Sequence, residues 1–157
     1  MIVTINTDAS YSKYHKIGAF AFWIVSDKGR ICHSGAFKSA VRGPNEAEMM
    51  CIINAMHTLK KQGYNNIRKI IINTDSLNSI HVFTPDCQAI SKYKLQWAKP
   101  LRKKYNKILF TIGIGCKVEF RHIRSHMDTL TPRAWVNQWL DDAAGRHLVE
   151  KIKLISK

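Results

Sequence analysis

The stretch that decides the fold runs from Val3 to Ser10 and reads Val-Thr-Ile-Asn-Thr-Asp-Ala-Ser. Its alternating β-branched residues are typical of a pleated strand that leads directly into Asp8. Alone, the pattern also fits a turn-forming aspartate at a strand end. A second copy favours another interpretation, because the apolar run that begins at Arg68 ends in Asn-Thr-Asp-Ser with its acid at Asp75. Two such strands could place both carboxylates at one edge of a sheet, where like charges must be protonated or share a cation.

The composition indicates a folded chain. At 157 residues it is long enough for one domain, predicted over residues 1–157, and its 45 % hydrophobic content argues against disorder. No apolar run of about 18 residues is present, so we expect no membrane span. The sequence begins without a signal-peptide pattern, and Cys32, Cys51, Cys87 and Cys116 form no Cys-x-x-Cys pair. We therefore expect reduced, core-packed cysteines and a cytoplasmic location.

The net charge of +14 predicts an affinity for polyanions, of which nucleic acid is the obvious one. A basic chain also occurs for solubility alone, so charge does not decide between the two explanations.

The order of the segments predicts an α/β fold. Residues 17–25 read as a buried strand whose Ala19, Ala21 and Trp23 face one side and whose Phe20, Phe22 and Ile24 face the other. We expect a loop at 10–16 and further strands at 30–37, 67–74 and 117–124. Helices are expected at 45–62, 76–83, 100–112 and 133–148. The predicted architecture is a mixed five-stranded sheet, three antiparallel then two parallel strands, with helices on both faces.

Asn45 and Glu48 allow two interpretations. Asn45 is a good N-cap, and Glu48 follows at capping-box spacing, so both could serve only to begin a helix. Alternatively, Glu48 is a third carboxylate in the first turn of a helix that packs across the sheet.

Five motifs in this order resemble the type 1 ribonuclease H family over nearly the full length of the chain. They are Thr7-Asp8-Ala9-Ser10, Asn45-x-x-Glu48, Thr74-Asp75-Ser76, Ile123-Arg124-Ser125-His126 and Asn137-x-x-x-Asp141-Asp142-x-Ala144. Each is weak alone, but the five together, each on the expected element, are specific. Ala9 replaces the family's usual glycine, and the basic protrusion with paired tryptophans has no clear counterpart. These departures would suit a phage or mobile-element branch.

The resemblance implies a ribonuclease H-like fold and an endonuclease that cuts the RNA strand of RNA/DNA hybrids, leaving 5′-phosphate and 3′-hydroxyl ends. Asp8, Glu48, Asp75 and Asp141 would hold two Mg²⁺ ions, or Mn²⁺ as a substitute, which suits their hard oxygen ligands. The adjacent Asp142 competes for the fourth position, although the spacing from Asn137 favours Asp141. His126 would assist proton transfer or product release.

Other residues are expected to contact nucleic acid. Asn45 stands where the family contacts a 2′-hydroxyl, and Ser10 and Ser76 flank two of the acids. A basic segment would track phosphates, with Lys92, Lys94, Trp97, Arg102, Lys103, Lys104 and Lys107, although a merely solvated helix face explains it equally well.

Three alternatives stay open at this point. His122 and His126 have the spacing of zinc ligands, but no cysteine or further histidine accompanies them. The same scaffold could carry a nuclease for DNA or structured RNA. A non-catalytic binding module is the third possibility, although a binder gains nothing from acids that face phosphates. We expect a monomer.

Overall fold

The computed structural model describes residues 1–85, 95–123 and 132–156. The strands in these ranges are β1 (Ile2–Ser12), β2 (Ile17–Ser26), β3 (Gly29–Ala36), β4 (Lys69–Thr74) and β5 (Lys117–His122). The helices are α1 (Pro44–Gln62), α2 (Leu77–Phe83), α3 (Lys99–Ile112) and α4 (Pro132–Ile155), and a 3₁₀ turn spans Gln96–Ala98.

The strands form one mixed sheet in the order β3-β2-β1-β4-β5. The β1–β2 and β2–β3 pairs are antiparallel, whereas β1–β4 and β4–β5 are parallel. The predicted architecture is therefore confirmed. Because β1, β4 and β5 run in the same direction, their carboxyl ends meet at one edge of the sheet.

The two faces of the sheet pack against different helices, as the alternation in β2 predicts. Phe20, Phe22 and Ile24 join the main core with the buried side of α1 and with Tyr105 and Ile108 of α3. On the opposite face, a second core contains Ala21, Trp23, Leu140, Ala143 and Ala144, of which the last three belong to α4. Helices thus cover both faces, and α4 approaches the sheet from the side opposite to α1.

Strand β1 is longer than predicted. Its register with β4 ends at Asn6, but its pairing with β2 continues to Ser12, so residues 10–12 are strand and not loop. Tyr11 favours this extension, because an aromatic residue suits a strand and its hydroxyl donates to the carbonyl of Arg42. Asp8 therefore lies where β1 is paired on one side only.

The start of α1 and the end of α4 also differ from the predictions. Gly43 precedes the first helical residue, Pro44, and no side chain caps this end of α1, so the prediction that Asn45 is the N-cap is wrong. A proline fits the first turn because its missing N–H would be unpaired there in any case. Helix α4 continues to Ile155, beyond its predicted end at residue 148.

The cysteines are not uniformly core residues. Cys51 is buried, Cys116 is half-buried and Cys32 is exposed on β3, so the prediction for Cys32 is wrong. Its position at the edge of the sheet explains the exposure. Cys87 lies outside the described residues. Among the described helices, none combines the length and hydropathy that a membrane crossing requires.

Candidate active site

Asp8, Glu48 and Asp75 converge at the carboxyl edge of the parallel strands. One ligand oxygen from each lies within 4.8 Å of those of the other two. Asp8 is carried by β1, Asp75 follows the last residue of β4, and Glu48 comes from the first turns of α1. Since β1 and β4 are adjacent and parallel, the repeated Asn-Thr-Asp triplet places its two acids side by side, as the sequence predicts.

Glu48 reaches across to β1 and does not cap its own helix. The backbone N–H of Ala9 donates to Glu48 Oε1 at 3.1 Å and also to Asp8 Oδ1 at 3.0 Å. Its other oxygen, Oε2, is buried and has no hydrogen-bond partner among the described residues. The structure thus argues against the capping-box interpretation of Glu48.

The three carboxyl groups have raised pKa values. Burial, followed by the charges of Asp75 and Asp141, raises the pKa of Asp8 from an ordinary 3.8 to about 7. Burial and the charges of Asp75 and Asp8 hold the pKa of Glu48 well above its ordinary range. Asp75 is exposed as a residue, but partial burial of its carboxyl group raises its pKa. Closely spaced acids of this kind are stable as anions only when a cation neutralises them.

Asp141 stands beside this group but outside the 4.8 Å set. Its charge raises the pKa of both Asp8 and Asp75, and its side chain is within hydrogen-bonding reach of Asp8. Asp142 is exposed and accepts a hydrogen bond from Gln138 Nε2 at 3.0 Å. The geometry favours Asp141 over Asp142 as the fourth acid.

A buried amide pair and a buried thiol form hydrogen bonds beside the acids, and the sequence analysis predicted neither contact. Asn73 Nδ2 donates to Asn6 Oδ1 at 2.8 Å, joining β4 to β1 two residues before Asp75 and Asp8. The thiol of Cys51 lies 3.4 Å from the Asp8 carbonyl and 3.4 Å from that of Ala21. The repetition of asparagine in the two triplets was the available signal for the amide pair.

His122 also lies against the acid cluster. Its Nε2 is 3.2 Å from the carbonyl oxygen of Asp75. His126, with which it would form a zinc pair, lies outside the described residues, so the structure does not test that alternative. Lys92 and Lys94 lie outside them as well.

The other predicted contact residues occupy varied environments. Ser10 and Asn45 are half-buried near the acids in sequence, and Lys103 is exposed. Trp97 packs against the main core, and Arg102 Nη2 donates to the carbonyl of Pro85 at 2.7 Å. Ser76 does not fit the predicted contact with nucleic acid, because it is buried and its hydroxyl accepts the backbone N–H of Ser79 at the start of α2.

Solved structures that superpose on this chain include ribonucleases H. RNase H1 of the archaeon Halobacterium salinarum NRC-1 superposes with a TM-score of 0.63 at 18 % identity, over 96 % of this chain and 99 % of that one. The N-terminal RNase H domain of rv2228c from Mycobacterium tuberculosis gives 0.69 at 13 % identity, over 98 % of both chains. LC11-RNase H1, solved in complex with an RNA/DNA hybrid, gives 0.61 at 16 % identity, over 96 % of this chain and 99 % of that one.

The fold and its acidic edge thus define a protein of the ribonuclease H-like class. A family model described as RNase H matches residues 1–148, and the chain belongs to that family. The prediction of a ribonuclease H enzyme is therefore confirmed. No curated protein matches the sequence significantly.

Proposed function

We propose that this protein hydrolyses the RNA strand of RNA/DNA hybrids with two divalent cations, leaving 5′-phosphate and 3′-hydroxyl ends. The observation that carries the proposal is the convergence of Asp8, Glu48 and Asp75 in a chain of the RNase H family. The hybrid-bound structure of LC11-RNase H1, which has the same fold, supports the choice of substrate.

The donor set fits hard cations such as Mg²⁺ or Mn²⁺. All the ligand atoms are carboxylate oxygens, and the buried Glu48 Oε2 has no protein partner among the described residues. Asp8, Glu48 and Asp75 would hold the ions together with Asp141. When bound, two such ions neutralise charge on the phosphodiester and activate the attacking water.

The chain itself keeps the acids in position. The N–H of Ala9 fixes Asp8 and Glu48 at once, and the Asn6–Asn73 amide pair joins the two strands that carry Asp8 and Asp75. The catalytic set therefore rests on paired strands and the buried side of α1, which hold side chains more rigidly than loops do. His126 is proposed to assist proton transfer or product release.

Substrate contacts are proposed at the described residues Ser10, Asn45, Trp97, Arg102 and Lys103, and at Lys92 and Lys94. Asn45 is the residue proposed to distinguish ribose from deoxyribose through the 2′-hydroxyl. It is half-buried in the first turn of α1, three residues before Glu48, and no hydrogen bond from its side chain caps the helix.

The test compares cleavage of matched labelled RNA/DNA, RNA/RNA and DNA/DNA duplexes in Mg²⁺ and in Mn²⁺. We expect cutting of the RNA strand in the hybrid alone, and a loss of at least about 100-fold in Asp75→Asn and Asp141→Asn. Asp142→Asn is the matched control and should keep nearly full activity. Cutting of another duplex would replace the substrate, and hybrid binding without cutting would leave a binding module. Full activity in Asp141→Asn would remove that residue from the site.

A further inference from the structure

A second basic surface lies along α1 and α3, away from the acids. It consists of His57, Lys60 and Lys61 on α1 and Lys104 and Lys107 on α3, and we call it the α1–α3 basic surface. All five side chains are exposed. The sequence is sharply depleted of acids in this part of the chain, because from residue 49 to residue 118 only Asp75 and Asp86 are acidic.

Helical spacing and packing bring these cations together. His57, Lys60 and Lys61 recur at i, i+3 and i+4, so they share one side of the last turns of α1, and Lys104 and Lys107 share one flank of α3. The two helices pack against each other. Burial and the charges of Lys61, Lys60 and Lys104 lower the pKa of His57, which places the α3 lysine beside the end of α1.

This surface includes Lys104 and Lys107 of the predicted phosphate-tracking segment but not Arg102. Arg102 lies two residues before Lys104 and bonds to the carbonyl of Pro85, just beyond α2, so it occupies the other flank of α3. The basic face that the sequence predicted on α3 is thus divided into two flanks, of which only one faces α1.

No acid neutralises the α1–α3 basic surface within the described part of the chain. The ion pairs in the described residues involve other cations, namely Arg42, Lys69, Arg121 and His147. Close lysines without acids repel one another, and a polyanion relieves that repulsion while it releases its own counterions.

We propose that the α1–α3 basic surface binds the phosphodiester backbone of nucleic acid that extends beyond the catalytic acids. This inference rests on the proposed function, since it assumes that the polyanion is the nucleic-acid substrate. Lys61 is 13 residues after Glu48 on α1, which is about 20 Å along the helix axis. That distance spans about 6 phosphate spacings of one strand, so only a hybrid longer than the catalytic cleft can reach this surface.

The test uses a variant with Lys60→Gln, Lys61→Gln and Lys104→Gln. The control loses the same number of positive charges away from this surface, through Lys28→Gln, Lys151→Gln and Lys153→Gln. Fluorescence anisotropy without divalent metal measures binding of a hybrid of about 30 base pairs and one of about 10 across a salt series. Ten base pairs cut near the middle extend about 5 phosphates, or about 17 Å, to either side, so a short hybrid held at the acids does not extend past Lys61 as the long hybrid does.

For the long hybrid, log affinity decreases linearly with log salt, and we expect the magnitude of this slope to be smaller in the variant by about 2 to 3. That is about 0.9 for each lost phosphate contact. The slope for the short hybrid should change by less than that for the long hybrid, and cleavage of the short hybrid should keep its kcat. Equal slopes and affinities in the variant and the control would overturn the proposal. So would loss of binding to anionic vesicles or to an acidic peptide with unchanged binding of the long hybrid, since either result would assign the surface to another partner.

Two further measurements separate this inference from its assumptions. Thermal unfolding of the variant should show an unchanged or higher Tm, because removal of like charges relieves repulsion; the binding comparison is then one of folded proteins. If wild type cuts no hybrid, the proposed function fails by itself. The anisotropy series still decides whether the surface binds nucleic acid.

Discussion

Asn6 and Asn73 form a buried link between β1 and β4, the strands that lead to Asp8 and Asp75. Each lies two residues before its aspartate, on the same face of its strand, and the two are register partners in the β1–β4 pair. Asn6 Nδ2 also donates to the Trp23 carbonyl at 3.4 Å, and Asn73 Oδ1 is buried without a partner among the described residues. A buried polar pair of this kind constrains the spacing of the strands, and so the spacing of Asp8 and Asp75.

We predict that Asn6→Ala and Asn73→Ala each destabilise the protein by roughly 1–3 kcal/mol, because Asn6→Ala leaves Asn73 Nδ2 buried without its acceptor and Asn73→Ala leaves Asn6 Oδ1 buried without its donor. The double variant should cost less than the sum of the two single variants. Urea unfolding measures all three differences. Costs that add to within about 0.5 kcal/mol would show that the two amides are energetically independent and set no spacing.

At the residue scale the positions of Asp8 and Asp75 were predictable, but the hydrogen bonds of Asn6, Asn73 and Cys51 beside them were not. The repeated Asn-Thr-Asp triplet predicts two carboxylates at one edge, because each acid follows directly on the apolar run of its strand. The Asn6–Asn73 bond depends on the particular register, and the contacts of Cys51 depend on how α1 lies across β1 and β2. Neither follows from local sequence, because long-range packing determines both.

At the scale of the elements, the start of α1 shows two local preferences in competition. Asparagine favours the N-cap and proline favours the first helical position, and here Pro44 determines the outcome. Gly43, which is fully extended with φ −178° and ψ 179°, becomes the residue before the helix. Asn45 is thereby moved into the first turn, which leaves its side chain unused as a cap.

We predict that Asn45→Ala changes the free energy of unfolding by less than about 0.5 kcal/mol, since no cap is lost. Ser76→Ala is the matched comparison, because its hydroxyl does cap α2, and it should cost about 0.5–2 kcal/mol. Thermal or urea unfolding of the two variants gives the contrast. A loss of about 1 kcal/mol in Asn45→Ala would restore the N-cap interpretation in solution.

Periodicity predicted the elements whose pattern is strong. The alternation in β2 correctly assigned Phe20, Phe22 and Ile24 to one core and Ala21 and Trp23 to the other. The predicted ends of β1 and α4 were wrong. Residues 10–12 gain their strand from pairing with β2, and residues 149–155 prolong α4 by about two turns beyond the predicted end at residue 148.

At the scale of the whole molecule, a chain of net charge +14 concentrates its carboxylates where they repel one another. The positive field favours polyanions, while the acids must be protonated or neutralised by a cation. A divalent cation bound there would remove a local electrostatic penalty without occupying the basic surfaces.

This arrangement predicts opposite effects of pH on the metal-free and metal-bound protein. The pKa of Asp8 is raised from 3.8 to about 7, and those of Glu48 and Asp75 are also raised. Between about pH 4 and pH 7 the folded state therefore holds protons that the unfolded chain has released. Without metal, the contribution of these groups to stability falls as pH rises, by up to about 1.4 kcal/mol per pH unit for each such proton.

The measurement is thermal unfolding at several pH values between 5 and 8, with a chelator and with millimolar Mg²⁺, in wild type and Asp8→Asn. Histidines titrate in the same interval, so the quantity of interest is the difference between the two proteins.

Without metal, Asp8→Asn should gain stability relative to wild type as pH rises, because the variant carries no charge at that position. The Mg²⁺-induced increase in Tm should grow with pH in wild type, since the ions bind deprotonated carboxylates, and should be much smaller in Asp8→Asn. Asp27→Asn, in the exposed turn between β2 and β3, is the control and should follow wild type in both conditions. A difference between wild type and Asp8→Asn that does not change with pH would contradict the raised pKa, and an equal Mg²⁺ effect in both proteins would place the ions elsewhere.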